Sequence, residues 1–381
     1  MNLQMLFAGD LFPTDKNSKE FTDANVNMLL GDDLLEYWYS NDFRCFNLEG
    51  PLCDEGNPIK KNGVCLSACC GTINGIERLR PSLISLANNH IMDYGVEGIN
   101  STLSLLKDRN INYTGIGQTS NIARQSFITV LKGIRIGVYA CVEHEFSEAT
   151  EWQIGANVYE PLNVFDDVQN LSNNCDITVV LFHGGKEYYR YPTPELQRRC
   201  RKFIDKGASV VLCQHSHCIG CEEKYKDGFI VYGQGDFLFD HGDSEYRQTS
   251  VLVQIEFDIA NRDIQVNYIP IVKYNQYVRF ANNEDKNNIL DEFDFRSRQI
   301  CESGFVERNF KQFCSQKYNA YVAALLGRKK FWAMINKITK GKFMEKYYSL
   351  SGLLRLYNYI KCEAHREVLL EAIRGRIEGE K

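Results

Sequence analysis

The sequence alternates short β-rich runs with helical patterns, and this alternation constrains the fold more than any other feature. Residues 95–109 and 193–206 repeat apolar residues at helical spacing, and most of the apolar runs around them have the length of strands and end at turn residues. An alternation of this kind favours an α/β fold. The strand candidates are residues 3–8, 44–48, 83–87, 134–140, 177–182, 210–213 and 229–232.

Two further strand-like segments and a helical C-terminal region complete the predicted organisation. Residues 250–258 and 264–272 alternate around an Ala-Asn-Arg-Asp turn, which predicts an antiparallel hairpin and therefore mixed sheets. After about residue 282 the sequence is charged, aromatic and helix-forming, without a strand candidate. We expect a mixed α/β domain over residues 1–282 and a helical extension over residues 283–381.

The charge distribution argues against a nucleic-acid partner. Residues 326–381 hold 13 Lys and Arg against 6 Asp and Glu, whereas the residues before them hold 31 against 43. An acidic body does not provide an extended phosphate-neutralising surface. The basic segment places apolar residues between its lysines, which suits a helix resting on an anionic membrane surface or, more commonly, a helix packed on the body.

Cysteine usage leaves one local question open. Fourteen cysteines in 381 residues are too sparse for a disulfide scaffold, and the first residues resemble a strand rather than a signal peptide. We therefore expect mostly free thiols, a reducing cytoplasm and, without an apolar run of roughly 20 residues, no membrane span. Residues 213–221, CQHSHCIGC, fit either a thiolate zinc or redox site, helped by Cys65, Cys69 and Cys70, or two histidines beside incidental thiols.

Conspicuous polar residues stand where the predicted strands end. The carboxyl ends of strands carry the ligand crevice in α/β proteins, so the sequence predicts one shared site. Carboxylates, amide oxygens and imidazoles together suit Zn, Mn or Fe better than Ca or Mg. Taken singly, each residue could instead cap a helix or satisfy a turn. The residues are Asp10, Glu49, Asn88, Asn89, His90, His183, His215 and His217.

The motifs around these residues resemble, in order, those of the CapA family, which is associated with capsule and poly-γ-glutamate synthesis. That family is similar in fold to the calcineurin-like metallophosphoesterases. The resemblance covers about residues 3–272 and implies a four-layer α/β/β/α sandwich with a metal site at the strand ends. The motifs are GDL, NLEGPL, LANNHIMDYG, HGGKEYYRYP, QHSHCIG and YGQGDFLFD.

The resemblance also implies a role for each residue around one or two divalent ions, Mn, Zn or Fe. Two ions roughly 3.5 to 4 Å apart require a bridging carboxylate, and an imidazole beside the leaving oxygen contributes a factor of about 10² to 10⁴ in rate. If the resemblance holds, His215 and His217 stand at alternate positions of one extended segment, which places both imidazoles on the same side. The implied roles are Asp10 and His217 on the first metal, Asn89, His183 and His215 on the second, Glu49 as the bridge, and His90 as proton donor oriented by Asp93. Beside these, we expect Asn88, Glu187 and Asp236 to support the site or to contact the substrate. The alternatives are a helix start for Glu187, and metal binding or the capping of a turn for Asp236.

Two departures from the family pattern bear on activity. Phe12 stands where a histidine ligand is usual in this fold, which leaves one metal, two metals or a non-catalytic site open. Asp236 stands where the family usually has asparagine. The resemblance implies a metal-dependent hydrolase that acts on a phosphoester or a precursor of a cell-surface polymer, with an accessory or scaffold component of a synthesis complex as the alternative. A polymerase or ligase is a third interpretation, but the sequence shows no nucleotide-binding loop.

Overall fold

The structure is a computed structural model that describes residues 2–240, 244–274, 276–325, 329–343 and 349–378. The chain divides into a first unit of residues 1–307 and a second unit of residues 308–381. No helix in these described ranges combines the length and the hydrophobicity that crossing a bilayer requires.

All strands of the described chain belong to the first unit, and they confirm each strand predicted from the apolar runs. They are β1 (Asn2–Phe12), β2 (Phe43–Leu48), β3 (Leu83–Ser85), β4 (Tyr113–Thr114), β5 (Ile116–Gly117), β6 (Phe127–Leu131), β7 (Ile134–Val142), β8 (Gly155–Ala156), β9 (Ile177–His183), β10 (Val210–Gln214), β11 (Glu222–Tyr225), β12 (Gly228–Tyr232), β13 (Asp236–Phe239), β14 (Thr249–Asp258), β15 (Asp263–Tyr274) and β16 (Tyr277–Phe280).

The helices include both of those predicted from apolar spacing. Thr193 begins α8 by accepting a hydrogen bond from the Leu196 amide, and proline follows at the first helical position. The helices are α1 (Ser18–Thr22), α2 (Val26–Leu30), α3 (Asp32–Ser40), α4 (Ile73–Arg78), α5 (Gly95–Asp108), α6 (Ser120–Ala123), α7 (Val164–Ser172), α8 (Pro194–Asp205), α9 (Asn283–Ile300), α10 (Phe305–Ala324) and α11 (Lys329–Ile338), followed by Leu350–Lys361 and Glu363–Glu378.

Two mixed sheets form the centre of the first unit. The larger has the order β16-β15-β14-β1-β2-β3-β4, with β13 paired to β1, and the smaller has the order β11-β12-β10-β9-β7-β6. Strands β1 to β4 run parallel, whereas β14 and β15 form the predicted antiparallel hairpin. In the smaller sheet β7, β9, β10 and β12 run parallel. A small β5–β8 pair stands apart.

The side chains of the smaller sheet alternate between two cores. Val179 and Leu181 of β9 belong to the core shared with the larger sheet, and Val180 and Phe182 belong to a second core with α7 and α8. Helices such as α3 pack on the larger sheet, where Trp38 stacks against Phe237 at 5.2 Å between ring centroids. The layers are therefore helix, sheet, sheet and helix, which confirms the predicted α/β/β/α arrangement.

The first unit extends beyond the predicted boundary at residue 282. Helix α9 buries Ile289 and Phe293, and the Phe293 ring lies 4.6 Å from that of Tyr268 on β15. Helix α9 therefore contributes to the hydrophobic core of the first unit and packs against the larger sheet. The division of the chain at 282 stays a prediction, and the helical character of the residues after it is observed.

Candidate metal centre

The six side chains predicted as metal ligands lie together where strands of both sheets end. Parallel pairing of β1 with β2, β2 with β3, and β9 with β10 puts these ends on one side of each sheet. Five of the six are buried, and the other is partly buried. They are Asp10 in β1, Glu49 after β2, Asn89 after β3, His183 at the end of β9, and His215 and His217 after β10.

The donor atoms form two groups that share Glu49. Glu49, His183 and His215 each offer one atom within 4.8 Å of the others, and so do Asp10, Glu49 and His217. His183 Nε2 lies 3.6 Å from Glu49 Oε1, and His217 Nε2 lies 3.9 Å from the same oxygen. This is the division into two donor groups that the resemblance implies, with one carboxylate common to both.

Asn89 joins the group that contains His183. Its Oδ1 lies 3.0 Å from His183 Nε2, the ring nitrogen that faces Glu49. Burial and then the charge of His215 hold the pKa of His183 well below its usual value, and burial and then the charge of His217 lower that of His215 to about 3. Both imidazoles are therefore neutral at physiological pH, which is the form that binds a metal.

The surroundings of Glu49 test whether these residues fit a cation. Both carboxylate oxygens are buried, and neither has a hydrogen-bond partner among the described residues. Burial, followed by the charges of Asp10 and Asp236, raises the pKa of Glu49 well above its usual value. A buried carboxylate without donors is costly unless it is paired or coordinates a metal, so the residues present fit a divalent ion.

Asn47 and Asn88 hold the end of β2 in place. Asn47 Nδ2 donates to Asp10 Oδ1 at 2.8 Å, and Asn88 Nδ2 donates to Asn47 Oδ1 at 3.1 Å and to the Leu48 carbonyl at 2.7 Å. Asn88 thus contacts the end of β2 behind the donor groups, and its supporting role stays a prediction. Asn47 was not predicted, although a polar residue near the end of an apolar strand is a usable signal.

Asp236 contacts the ring of His217 but is not itself a member of either donor group. Asp236 Oδ1 lies 2.7 Å from His217 Nδ1, and Arg247 Nη1 donates to Asp236 Oδ2 at 2.7 Å. A carboxylate on one ring nitrogen fixes the ring and directs the other nitrogen to a metal. Asp236 therefore lies where it can orient His217, and its role in the site stays a prediction; Arg247 is an addition from the structure.

His90 and Asp93 lie beside the donor groups and form a pair of their own. His90 Nδ1 lies 2.6 Å from Asp93 Oδ2, which leaves the other ring nitrogen, Nε2, available. Asp93 also accepts from the Leu66 amide at 2.7 Å and forms a buried ion pair with Lys61. Lys61 was missed because it stands in an irregular loop without a periodic pattern.

The segment that carries His215 and His217 is a bend, not the extended segment that the sequence predicts. Strand β10 ends at Gln214, and the backbone φ angles of His215 and His217 are 83° and 52°. Left-handed backbone is uncommon outside glycine and concentrates at functional sites. The extended interpretation was wrong because the two imidazoles serve different donor groups and so do not project together from one pleat.

Phe12 occupies an apolar position beside His217. Its ring packs edge-on against Phe239 at 5.6 Å, and Phe239 lies 5.8 Å from the His217 ring. An aromatic pair therefore fills the space next to the first donor group. Asp10, Glu49 and His217 therefore form a group of three possible ligands without a second imidazole from β1.

The cysteines of the CQHSHCIGC segment stay out of the donor groups. Among the described residues, the candidate ligand groups contain carboxylates and imidazoles only. Cys213 and Cys221 pack in the core beneath α8, and burial raises the pKa of Cys218 to about 11. The geometry therefore favours the two histidines over a thiolate site.

A cleft of about 210 Å³ opens next to the candidate centre. Glu187 lines this cleft and does not stand at the start of a helix. This position agrees with a substrate-contacting role and not with the alternative role as a helix start. The cleft mixes cationic, acidic and aromatic side chains with residues of the centre. Its lining includes Lys61, Asn89, His90, Phe146, Glu187, Tyr188, His217, Phe239 and Arg247.

Comparisons with known proteins agree with the predicted family. Residues 4–241 match the family described as bacterial capsule synthesis protein PGA_cap. The chain is 26% identical over 261 residues to the capsule biosynthesis protein CapA of Bacillus anthracis, covering 66% of this chain and 63% of that protein. It is 26% identical over 231 residues to the PGA biosynthesis protein CapA of Bacillus subtilis (strain 168), covering 58% of this chain and 60% of that protein.

Among solved structures, the chain is similar to a putative 5'-nucleotidase from Staphylococcus aureus in complex with alpha-ketoglutarate. The TM-score is 0.47 and the identity 14%, and the match covers 77% of this chain and 58% of that one.

The chain spans less than two thirds of the length of the two CapA proteins named above.

Proposed function

The chain belongs to the bacterial capsule synthesis protein family, and from this premise we propose that it is a metal-dependent hydrolase of phosphoester type. Its substrate would be a phosphoester or a phosphorylated precursor of a surface polymer such as the poly-γ-glutamate of its relatives. One observation carries the proposal: Glu49 presents two buried oxygens, without hydrogen-bond partners among the described residues, to two donor groups. A bridging carboxylate between two cations has this environment.

The residues around Glu49 would hold one or two divalent ions. Asp10 and His217 would bind on one side, and Asn89, His183 and His215 on the other. Bound divalent ions supply Lewis-acid stabilisation of negative charge and activate water at neutral pH. The donor set of oxygen and imidazole nitrogen suits Mn, Zn or Fe.

The protein's own contribution to the chemistry is proton transfer and orientation. His90 would donate a proton from Nε2 to the leaving oxygen, because Nδ1 is engaged by Asp93. Asp93 is itself fixed by the Leu66 amide and by Lys61. The ring of His90 is therefore held at the wall of the cleft in one orientation.

The test of this proposal measures metal before activity. Metal content of the purified full chain is determined by emission spectroscopy, and hydrolysis of an aryl phosphate is then followed with Mn, Zn or Fe added. We expect bound metal and metal-dependent turnover, and we expect His217→Ala to lose both. A wild-type chain that binds none of these metals and shows no turnover would contradict the proposal.

An accessory role in a polymer-synthesis complex is the second candidate. Phe12 and Phe239 favour it, because they place an apolar pair where a further imidazole would strengthen the first metal site. In a bacterium that requires this chain for its surface polymer, an accessory protein with the His217→Ala substitution would still support polymer production. A hydrolase with the same substitution would not.

A further inference from the structure

Arg247 is a buried cation in the wall of the cleft, and the family match at residues 4–241 does not include it. Its relative exposure is 5%. The side chain lies on the same cleft as Asn89, His90 and His217, which belong to or border the candidate centre. A cation at this position therefore faces the space that a substrate of the centre would enter.

The contacts of Arg247 hold its guanidinium in one orientation without using all of its donors. Nη1 donates to Asp236 Oδ2 at 2.7 Å, and Nε and Nη2 donate to the Tyr188 hydroxyl at 3.2 and 3.1 Å. A guanidinium carries five N–H groups. These three bonds, which are its hydrogen bonds within the described chain, leave two N–H groups for a ligand.

Lys61, which also lines the cleft, is a weaker candidate for binding a substrate anion. Lys61 forms a buried ion pair with Asp93 and lies 3.2 Å from His90 Nδ1, so its charge is used to hold the His90–Asp93 pair. Among the described residues Arg247 has one carboxylate partner, and a guanidinium is a planar fork of donors whose shape matches two oxygens of an oxyanion. Arg247 is therefore the better candidate for contact with a substrate anion.

We propose that Arg247 forms an oxyanion-binding subsite beside the metal centre and receives the phosphoryl or carboxylate oxygens of the substrate. The proposal deepens the proposed function and rests on it. The competing explanation is that Arg247 only neutralises Asp236 and so keeps that carboxylate on His217. The two explanations differ when the charge of Asp236 is removed together with that of Arg247.

The experiment measures binding of two probe anions, inorganic phosphate and glutarate, to the metal-loaded full chain by calorimetry. We expect Arg247→Ala to weaken binding of at least one probe by tenfold or more. The double variant Asp236→Asn/Arg247→Ala should stay equally weak, because the amide oxygen can still accept from His217 but the fork is missing. Asp236→Asn alone is the reference for the double variant, because it separates a loss that acts through His217 from the loss of the guanidinium.

Arg190→Gln is the matched control, because Arg190 donates to the Ile219 carbonyl at 3.2 Å and does not line the cleft. Its probe affinity should stay within twofold of the wild type. Normal affinity in Arg247→Ala, recovery in the double variant, or an equal loss in Arg190→Gln would each overturn the subsite. Metal content is measured in every variant: a wild type without metal contradicts the proposed function, whereas bound metal with Arg247-independent binding contradicts only the subsite.

Discussion

The buried position of Glu49 is difficult to explain unless the carboxylate binds a cation. Its carboxylate is buried, has no hydrogen-bond partner among the described residues, and faces the charges of Asp10 and Asp236. Such a group lowers the stability of the metal-free protein and becomes favourable only when a cation is bound. Metal binding and metal-free stability are therefore opposed at this residue.

Glu49→Gln should reverse the order of stability between metal-free and metal-loaded protein. Without metal at neutral pH, we expect the variant to be more stable than the wild type by about 1 to 2 kcal/mol, because a carboxyl group with a raised pKa destabilises the folded state at that pH and an amide does not. With metal at about 100 times its Kd, the wild type should gain about 2.7 kcal/mol and the variant almost nothing. Denaturant unfolding with and without chelator measures both values.

The control for this prediction is Glu97→Gln, which makes the same change at an exposed position. It should leave both unfolding free energies within about 0.5 kcal/mol of the wild type. If Glu49→Gln instead destabilises the metal-free protein, Glu49 has a structural partner and the bridging role is contradicted.

The loss of kcat caused by replacing His90 should depend on the leaving group of the substrate. A general acid contributes a factor of about 10² to 10⁴, and its contribution is largest when the leaving oxygen is a poor leaving group. We expect His90→Gln to lower kcat strongly for phenyl phosphate and much less for 4-nitrophenyl phosphate, with metal content unchanged. His144→Gln, which removes a half-exposed histidine paired with Glu148, should change neither rate. Equal losses on the two substrates would contradict proton donation.

The predicted ligands stand at positions that the local sequence marks, whereas the missed residues depend on partners that are distant in the sequence. Asp10, Glu49 and His183 could be predicted because a polar residue at the end of an apolar run has few structural reasons to be there. Lys61 stands in an irregular loop and Arg247 in the short 3-10 helix Glu245–Arg247, and their partners Asp93 and Asp236 are 32 and 11 residues away. Local sequence carries no signal for such pairs, because the tertiary fold alone brings them together.

At the scale of elements, the bend after β10 decides how the two histidines are presented. Alternation of side chains holds within a pleated strand, but β10 ends at Gln214. The bend packs closely against Gly233, which has a φ of +109°. A Cβ atom at Gly233 would lie 2.6 Å from Ser216 Oγ and 2.8 Å from the Cys218 carbonyl oxygen.

Gly233→Ala should therefore destabilise the protein and weaken metal binding together. The positive φ alone costs about 1 to 2 kcal/mol, and the contact with the bend adds about 1 to 3 kcal/mol. Gly63→Ala is the matched control, because Gly63 has a φ of +116° and no atom of the described chain within 4 Å of the added carbon. It should show the backbone cost alone and normal metal affinity, measured by denaturation and metal titration. Equal effects of the two variants would show that Gly233 does not support the bend.

At the scale of the whole molecule, the sequence predicts the elements of the first unit better than their arrangement. The buried runs of β9 and β10 and the spacing in α5 and α8 identify strands and helices locally. The strand order and the division into two sheets depend on pairings such as β1 with β14, which are about 250 residues apart. The resemblance to a known family supplied that arrangement, because local patterns contain no information about long-range pairing.

The second unit combines a basic charge with exposed apolar side chains. Residues 326–381 carry 13 Lys and Arg against 6 Asp and Glu. Within the described part, Phe331, Ile338, Leu354 and Val368 are exposed by 47%, 72%, 61% and 70%. Apolar and basic residues on the same helices are the composition of interfacial membrane segments. We propose that this unit rests on an anionic membrane surface.

Vesicle binding tests this proposal on the full chain. We expect co-sedimentation with vesicles that contain phosphatidylglycerol, little with neutral phosphatidylcholine, and release at high salt, because each basic residue near an anionic surface contributes about 1 kcal/mol. Lys337→Glu/Lys340→Glu should weaken binding by about tenfold or more. The control Lys107→Glu/Lys202→Glu changes the same charge on exposed helical positions of the first unit and should bind as the wild type does. Equal losses in the two pairs would mean that net charge alone drives binding, whereas salt-resistant self-association without vesicle binding would show that the apolar side chains serve a second copy of the chain instead.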